Sequence, residues 1–159
     1  MLDKLSIRPI TAKDEAAFAA MFRQVAQMHA AARPDIYAPL TDAFVEGEVK
    51  RLMREEHTTI LIADLNGRAV GMCVLQLRRA PDVPVLRPRC RAVIDDLCVL
   101  EGWRGRGIGK RLLNAAKEEA RALGAPALEL MVWGFNEDAM RFYEKAGMAV
   151  QHATLEMRL

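Results

Sequence analysis

The run Val99-Leu100-Glu101-Gly102-Trp103-Arg104-Gly105-Arg106-Gly107-Ile108-Gly109-Lys110-Arg111 alternates glycines with basic and apolar residues. Glycines let the backbone turn sharply and bring successive N–H groups to one point without side-chain obstruction. A helix starting there adds its free N–H groups and the positive end of its dipole. Arg104, Arg106, Lys110 and Arg111 add formal charge. Such a loop suits a phosphorylated ligand. Just upstream stand two adjacent carboxylates, Asp95 and Asp96, which can accept protons. Downstream stands Tyr143, a phenol with an ordinary pKa near ~10 that stays protonated at neutral pH and can donate one.

Two common phosphate loops fail on spacing. A Walker A motif aligned on Gly109-Lys110 finds Arg104 where its first glycine belongs and Arg111 where its magnesium-binding hydroxyl belongs. The dinucleotide fingerprint GxGxxG, begun at Gly105, finds Lys110 at its third glycine. Nucleotide hydrolysis and hydride transfer are therefore poorly supported. The pattern that is satisfied is Arg-x-x-Gly-x-Gly, over Arg104 to Gly109.

The elements that must hold these groups follow from periodicity. Leu5 to Arg8 alternates as a short strand, and Thr11 with Asp14 matches a capping box for a helix ended by Arg33-Pro34. Asp35 to Leu40 reads as a loop. Thr41 or Asp42 can cap a second helix with Phe44, Val45, Val49, Leu52 and Met53 on one face. Thr58–Asp64 and Ala69–Leu77 are strands joined by the hairpin turn Asn66-Gly67. Arg91–Leu100 is the strand that feeds the glycine loop. The helix after the loop has Ile108, Leu112, Leu113, Ala116, Ala120 and Leu123 on one stripe and ends at Gly124. Ala127–Trp133 is a strand, and Asn136 caps a last helix ended by Gly147. Strands over 146–151 and 153–158 close the chain. The order β α α β β β α β α β β predicts an α/β fold of the α+β type, with helices on both faces of a mixed sheet.

The 159 residues suit one domain, residues 1–159, able to bury a real core. A net charge of +2 is too mild for a nucleic-acid partner. No run approaches membrane-spanning or signal-peptide length, so the expectation is a cytoplasmic protein with no membrane partner. Cys73, Cys90 and Cys98 lack CxxC spacing and His29, His57 and His152 stand far apart, which predicts neither disulfides nor a metal.

At this point the chain resembles the GCN5-related N-acetyltransferase (GNAT) superfamily. Ile94-Asp-Asp-Leu-Cys-Val99 is similar to its fourth strand and Trp103 to Gly109 to its pyrophosphate loop. Asn136-Glu-Asp-Ala-Met-Arg-Phe-Tyr-Glu-Lys-Ala-Gly147 is similar to its Asn-x-x-Ala-x-x-Phe-Tyr-x-x-x-Gly helix. The resemblance implies a mostly antiparallel sheet of about six to seven strands and acetyl-CoA as donor. It implies a pantetheine arm laid along the backbone of Leu97, Cys98 and Val99, in a sheet that opens there. The pyrophosphate would lie on the amides of Arg104, Gly105, Arg106, Gly107, Ile108, Gly109 and Lys110. Asn136, Ala139, Phe142 and Tyr143 would line the cofactor from the last helix.

Acetyl transfer to an amine needs a base, because at neutral pH only about one alkylammonium in a thousand has lost its proton. Alternation along the strand puts Asp95 and Asp96 on opposite faces, with Asp95 on the face of Leu97 and Val99. Asp95 is favoured as base and Asp96 is its substitute; an arginine-paired structural carboxylate is the competing role. Tyr143 is the candidate acid for the leaving thiolate, and a core aromatic is its alternative. Cys98 lacks a nearby histidine, so packing on the cofactor strand is favoured over nucleophilic catalysis. Asp35, Tyr37, Trp133 and Phe135 are candidates for the acceptor side. A small-molecule amine is the leading acceptor; a protein N-terminus or lysine, or a non-catalytic acyl-CoA-binding module, are the alternatives. Dimerisation is common among similar proteins, and a homodimer is carried as an expectation on that ground alone.

Overall fold

A computed structural model describes residues 4–159. Its elements are β1 (Leu5–Pro9), α1 (Glu15–Ala32), α2 (Asp42–Arg54), β2 (Thr58–Leu65), β3 (Arg68–Arg79), β4 (Cys90–Val99), α3 (Ile108–Ala122), β5 (Leu128–Leu130) and α4 (Glu137–Lys145). They form one sheet in the order β1-β2-β3-β4-β5. The first four strands pair antiparallel, and β5 joins β4 in parallel. The mixed α/β architecture expected from the element order is present.

Each face of the sheet has its own core. Ile108, Leu112, Leu113, Ala116 and Ala120 of α3 bury against Cys73, Leu75, Ala92 and Ile94 on one side. Phe18 and Met21 of α1 join Val45, Val49 and Leu52 of α2 over Ile60, Met72, Val74 and Cys98 on the other. The stripe that α3 shows in sequence is the one it buries, except Leu123, which follows the helix end and is 41% exposed. On α2, the Thr41 hydroxyl accepts from the Phe44 N–H at 3.2 Å, as an N-cap should. Phe44 itself is 53% exposed and does not join the buried stripe. No helix among the described residues is long and apolar enough to cross a membrane.

The strand count is lower than the expected six to seven. β5 covers three residues rather than Ala127–Trp133, and 146–151 and 153–158 form no strand. A strand needs a partner as well as alternation, and a three-residue β5 offers little edge to pair with. Leu155, Met157 and Leu159 alternate in sequence yet lie exposed, so the apolar pattern there reports no buried face.

Asn66 (φ 54) and Gly67 (φ 81) make the two-residue turn between β2 and β3. Asp14, only 6% exposed, ties the start of the chain to that hairpin's strands. Its carboxylate accepts from the Arg8 guanidinium at 2.7 Å and from the Thr11 N–H and hydroxyl at 2.8 Å each. Arg8 bridges on to Asp64 of β2 at 2.7 Å. The Arg8 hydrogen bonds hold the Asp14 carboxyl far below the usual carboxylate range. Its stabilisation is therefore complete above the ordinary aspartate pKa of about 4 and is lost as pH falls below it. Asp14→Asn should cost about 2 kcal/mol at pH 7, read as a lower urea midpoint, because a charged acceptor of buried donors is lost. The gap between the variant and the parent should narrow as the pH is taken below about 4.

Candidate active site

The site is organised by an irregularity in β4. Its register against β3 runs Val74↔Asp96 and then Leu75↔Ile94, so Asp95 is an extra, unpaired residue. This is a β-bulge, and it changes which way the side chains point. Ile94 and Leu97, three apart, both pack on the α3 side, while Cys98 lies in the α1/α2 core. Both carboxylates then face α1 and α2. Asp95 accepts from Arg78 at 2.6 Å, and Asp96 lines a cavity beside Phe22 and Phe44. The alternation that would separate the two acids, and set Asp95 beside Leu97 and Val99, is broken by the bulge.

The same stretch leaves its other neighbour. β4 pairs with β5 only over Ala92↔Leu128, Val93↔Glu129 and Ile94↔Leu130. Beyond Ile94 the two parallel strands part, and the edge of β4 from Asp95 to Val99 is not laddered to β5. The Leu100 N–H bonds to Val70, so the carbonyl of Val99 points the other way, toward the opening. There it accepts side-chain bonds from Gln24 (3.2 Å) and Arg104 (3.3 Å). Opposite Val99, Gly71 keeps α3 close: a Cβ there would lie 3.0 Å from the Cys98 carbonyl and 3.0 Å from Leu112.

Where β4 ends, the glycine loop begins. Gly105 (φ 73) and Gly107 (φ 77) sit in the left-handed region that side chains disfavour. Gly107 is the N-cap of α3, has no side chain to satisfy the helix's first N–H groups, and no acid follows in the first turn. The amides of Ile108, Gly109 and Lys110 therefore point out of a helix end without a side-chain cap, as an anion site requires. Arg104, Arg106, Lys110 and Arg111 are exposed around it, and Arg106 lies over the Trp103 ring at 4.9 Å. The side chain of Ile108 is buried, so only its backbone faces the loop. A Cβ built on Gly109 would lie 3.5 Å from the Phe142 ring and 3.8 Å from Val99, so this glycine sits between α4 and the end of β4.

On α4, the Asn136 side chain accepts from the Ala139 N–H at 3.2 Å and caps the helix. Tyr143 packs edge-on to Phe142, with ring centroids 5.1 Å apart, against the α3-side core. Burial, then the nearby Cys73 thiol and Asp96 carboxylate, push its phenol up to about 12. Burial likewise raises Asp96 to about 6, with Asp95 and Glu48 adding repulsion. Asp95 is raised by burial too, but the Arg78 guanidinium pulls against the shift. The two acids are thus unequal. Asp95 is paired, whereas Asp96 is a partly buried carboxylate poised near neutrality. Burial pushes the Cys98 thiol up to about 11, against the opposing pull of the Gln24 amide, which donates to its sulfur at 3.1 Å, so the thiol stays protonated.

The cavity, of about 520 Å³, is lined by Phe22, Val25, His29, Ile36, Tyr37 and Leu40 among others, with Asp96 as its acid. An aromatic cluster adjoins it. His29 stacks on Tyr37 at 5.3 Å, Trp133 donates from Nε1 to the Tyr37 hydroxyl at 2.9 Å, and Phe135 stacks on Trp133 at 6.0 Å. Asp35 is engaged by Arg33 (2.8 Å) and Arg158 (3.6 Å), and the Arg33 hydrogen bonds hold it down at about 2. Of the four acceptor-side candidates, Tyr37, Trp133 and Phe135 come together, but only Tyr37 lines the cavity; Asp35 lies in an ion-pair cluster. Phe22 and Val25 carry the same helical spacing as core residues, and no signal in the sequence separates the two uses.

Comparison with known proteins agrees with this geometry. The model of the acetyltransferase (GNAT) family matches residues 22–148, and the chain belongs to that family. It is an N-acetyltransferase by that membership. It is 31% identical over 143 residues to the uncharacterized N-acetyltransferase YhfO of Bacillus subtilis strain 168, covering 90% of this chain and 89% of that one. It is 34% identical to the aminoalkylphosphonate N-acetyltransferase of Salmonella typhimurium over 69% of this chain and 68% of that one. A crystal structure of the BH1408 protein from Bacillus halodurans superposes with a TM-score of 0.90 at 31% identity, over 97% of this chain and 99% of that one. An aminoglycoside N-acetyltransferase in complex with CoA shares the fold, with a TM-score of 0.78 at 16% identity over 98% and 94% of the two chains.

The unequal acids can be checked directly. A carboxyl-carbon NMR titration should give Asp96 a midpoint near pH 6, and Asp95→Asn should lower it. Removing Asp95 takes away a like charge and frees Arg78 to act on Asp96.

Proposed function

We propose that the protein transfers an acetyl group from acetyl-CoA to the primary amine of a small molecule, by direct attack with both substrates bound. The observation that carries this reading is the parting of β4 from β5 beside the uncapped start of α3. The residues present fit the donor. The edge of β4 over Leu97–Val99 offers backbone groups to the amides of a pantetheine arm. The N–H groups from Gly105 to Lys110, with the exposed arginines, offer an anion site for its pyrophosphate. Asn136, Ala139 and Phe142 close the same side from α4. Among the described residues no cluster of histidine, cysteine and carboxylate could hold a metal ion, and the proposed steps call on none.

Asp96 is the proposed base. It stands at the cavity's acid end, and a value of about 6 leaves it ionised at neutral pH yet basic enough to take a proton from the acceptor ammonium. That proton leaves nitrogen for Asp96, the nitrogen lone pair forms the new C–N bond as the C–S bond breaks with its electron pair on sulfur, and the second proton shed by the nitrogen ends on that thiolate to give free CoA. Asp95, tied to Arg78, is proposed to act on Asp96 by repulsion rather than on the amine. Tyr143 is proposed to stand beside the departing sulfur. Its phenol, at about 12, is a weaker acid than an ordinary thiol (about 8.5), so its main contribution is a hydrogen bond to the thiolate as charge develops. A concave, largely apolar cavity with a single acid at its β4 end supports a small amine as acceptor.

With acetyl-CoA and a productive amine, kcat should rise with pH through about 6 as Asp96 loses its proton. Asp96→Asn should cut kcat about 100-fold or more and remove that limb, and Tyr143→Phe should cut kcat about 100-fold. Both variants should bind acetyl-CoA like the parent in calorimetry. Turnover of Asp96→Asn at the parent's rate would rule Asp96 out as base.

A further inference from the structure

The acceptor cavity differs from its surroundings in charge. This chain is rich in ion pairs, and the acids near β4 are matched: Asp95 with Arg78, and Glu48 and Glu55 with Arg51. The cavity wall is mostly apolar, with Phe22, Val25, Ile36, Leu40 and Phe44; Thr41, whose hydroxyl caps α2, is its one hydroxyl besides Tyr37, Asp96 is its one acid, and His29 is the one other titratable side chain bar Tyr37. Burial lowers His29, which keeps it neutral at physiological pH. Phe44 and Ile36 are 53% and 50% exposed although apolar, and both line this cavity. Large apolar side chains left open to solvent around a concave site mark a surface that awaits an apolar ligand.

From this we infer that the acceptor is a monoamine with an apolar body, an alkylamine or arylalkylamine, whose ammonium meets Asp96 while its hydrocarbon covers Phe22, Val25, Leu40 and Phe44. This inference rests on the acetyltransferase reading and narrows its substrate. The physical reason is the count of partners. One ammonium and one carboxylate neutralise each other, and the apolar body gains by leaving water. A polyamine or aminoglycoside would bring further ammonium groups against a wall that offers them no carboxylate, and an unpaired charge is costly to desolvate. The acids that could have served it are already held by arginines.

A kinetic series with acetyl-CoA and a free-thiol readout tests this, using n-butylamine, n-hexylamine, n-octylamine, 2-phenylethylamine, spermidine and kanamycin. The expected result is a rise in kcat/KM along the alkyl series, by up to about fourfold per methylene, with spermidine and kanamycin at or below butylamine. A parallel thermal-shift series reads binding without turnover: octylamine should stabilise the parent more than butylamine or spermidine, and Asp96→Asn should abolish the difference. Ile36→Glu, at an exposed rim position that folding does not need, should raise the preference for 1,5-diaminopentane over pentylamine by about threefold. Turnover that is flat with chain length, or highest with spermidine or kanamycin, overturns the inference and leaves the acetyltransferase reading standing. No thiol release from any amine, with the ordered thermal shifts intact, sinks the acetyltransferase reading and keeps the apolar amine site. Flat responses in both assays overturn the inference.

Discussion

One residue of β4 without a partner on β3 governs the chemistry of this protein. Inserting Asp95 into the ladder between Ile94 and Asp96 bends the strand and rotates its end away from β5. Two consequences meet at that place. The backbone of β4 gains an edge free of β5 within the interior of a sheet, where unsatisfied groups are normally paired. The two adjacent carboxylates come to the same face, where repulsion and burial set them apart in acidity. A regular strand would have given neither.

The acid–base character of the site is a matter of environment rather than residue type. Asp95 and Asp96 are chemically identical and neighbours in the chain. Arg78 reaches the first and not the second, while burial acts on both. The outcome is one carboxylate whose rise is opposed by its arginine partner and one without such a partner raised to about 6, the arrangement by which a protein can assign different roles to like groups. Tyr143 is subject to the same low-polarity surroundings, which keep it protonated and suit it to donate a hydrogen bond.

The proposed donor and acceptor sides are built on different principles. The donor side relies on backbone: left-handed glycines, an uncapped helix start and an unladdered strand, with exposed arginines around them. The acceptor side relies on side chains contributed by α1, α2 and the loop between them, with one acid at the β4 end. Backbone recognition suits a ligand shared across a family. A side-chain wall can vary from chain to chain, and here it is apolar.

The local backbone of the proposed donor side could be read from the sequence, because glycine spacing and an N-cap asparagine are local instructions. The turn at Asn66-Gly67, the stripe on α3 and the caps at Thr41 and Asn136 were legible for the same reason. The final strands were not, since alternation over 153–158 cannot show whether a partner edge exists. The direction of Asp95 and Asp96 was not legible either: a bulge is decided by how β3 and β4 pair, over a separation of some twenty residues, and alternation alone predicts opposite faces. Phe22, Val25 and Phe44 carry helical spacing that serves a core as well as a cavity wall, and only the packing of α1 and α2 over the sheet separates those uses. By itself, then, the sequence determined the helices, the strands up to the start of β5, their order and the glycine-rich loop, because each is set within a few residues. Tertiary structure decided which carboxylate is poised to act and what kind of surface it faces, because both depend on contacts between distant segments.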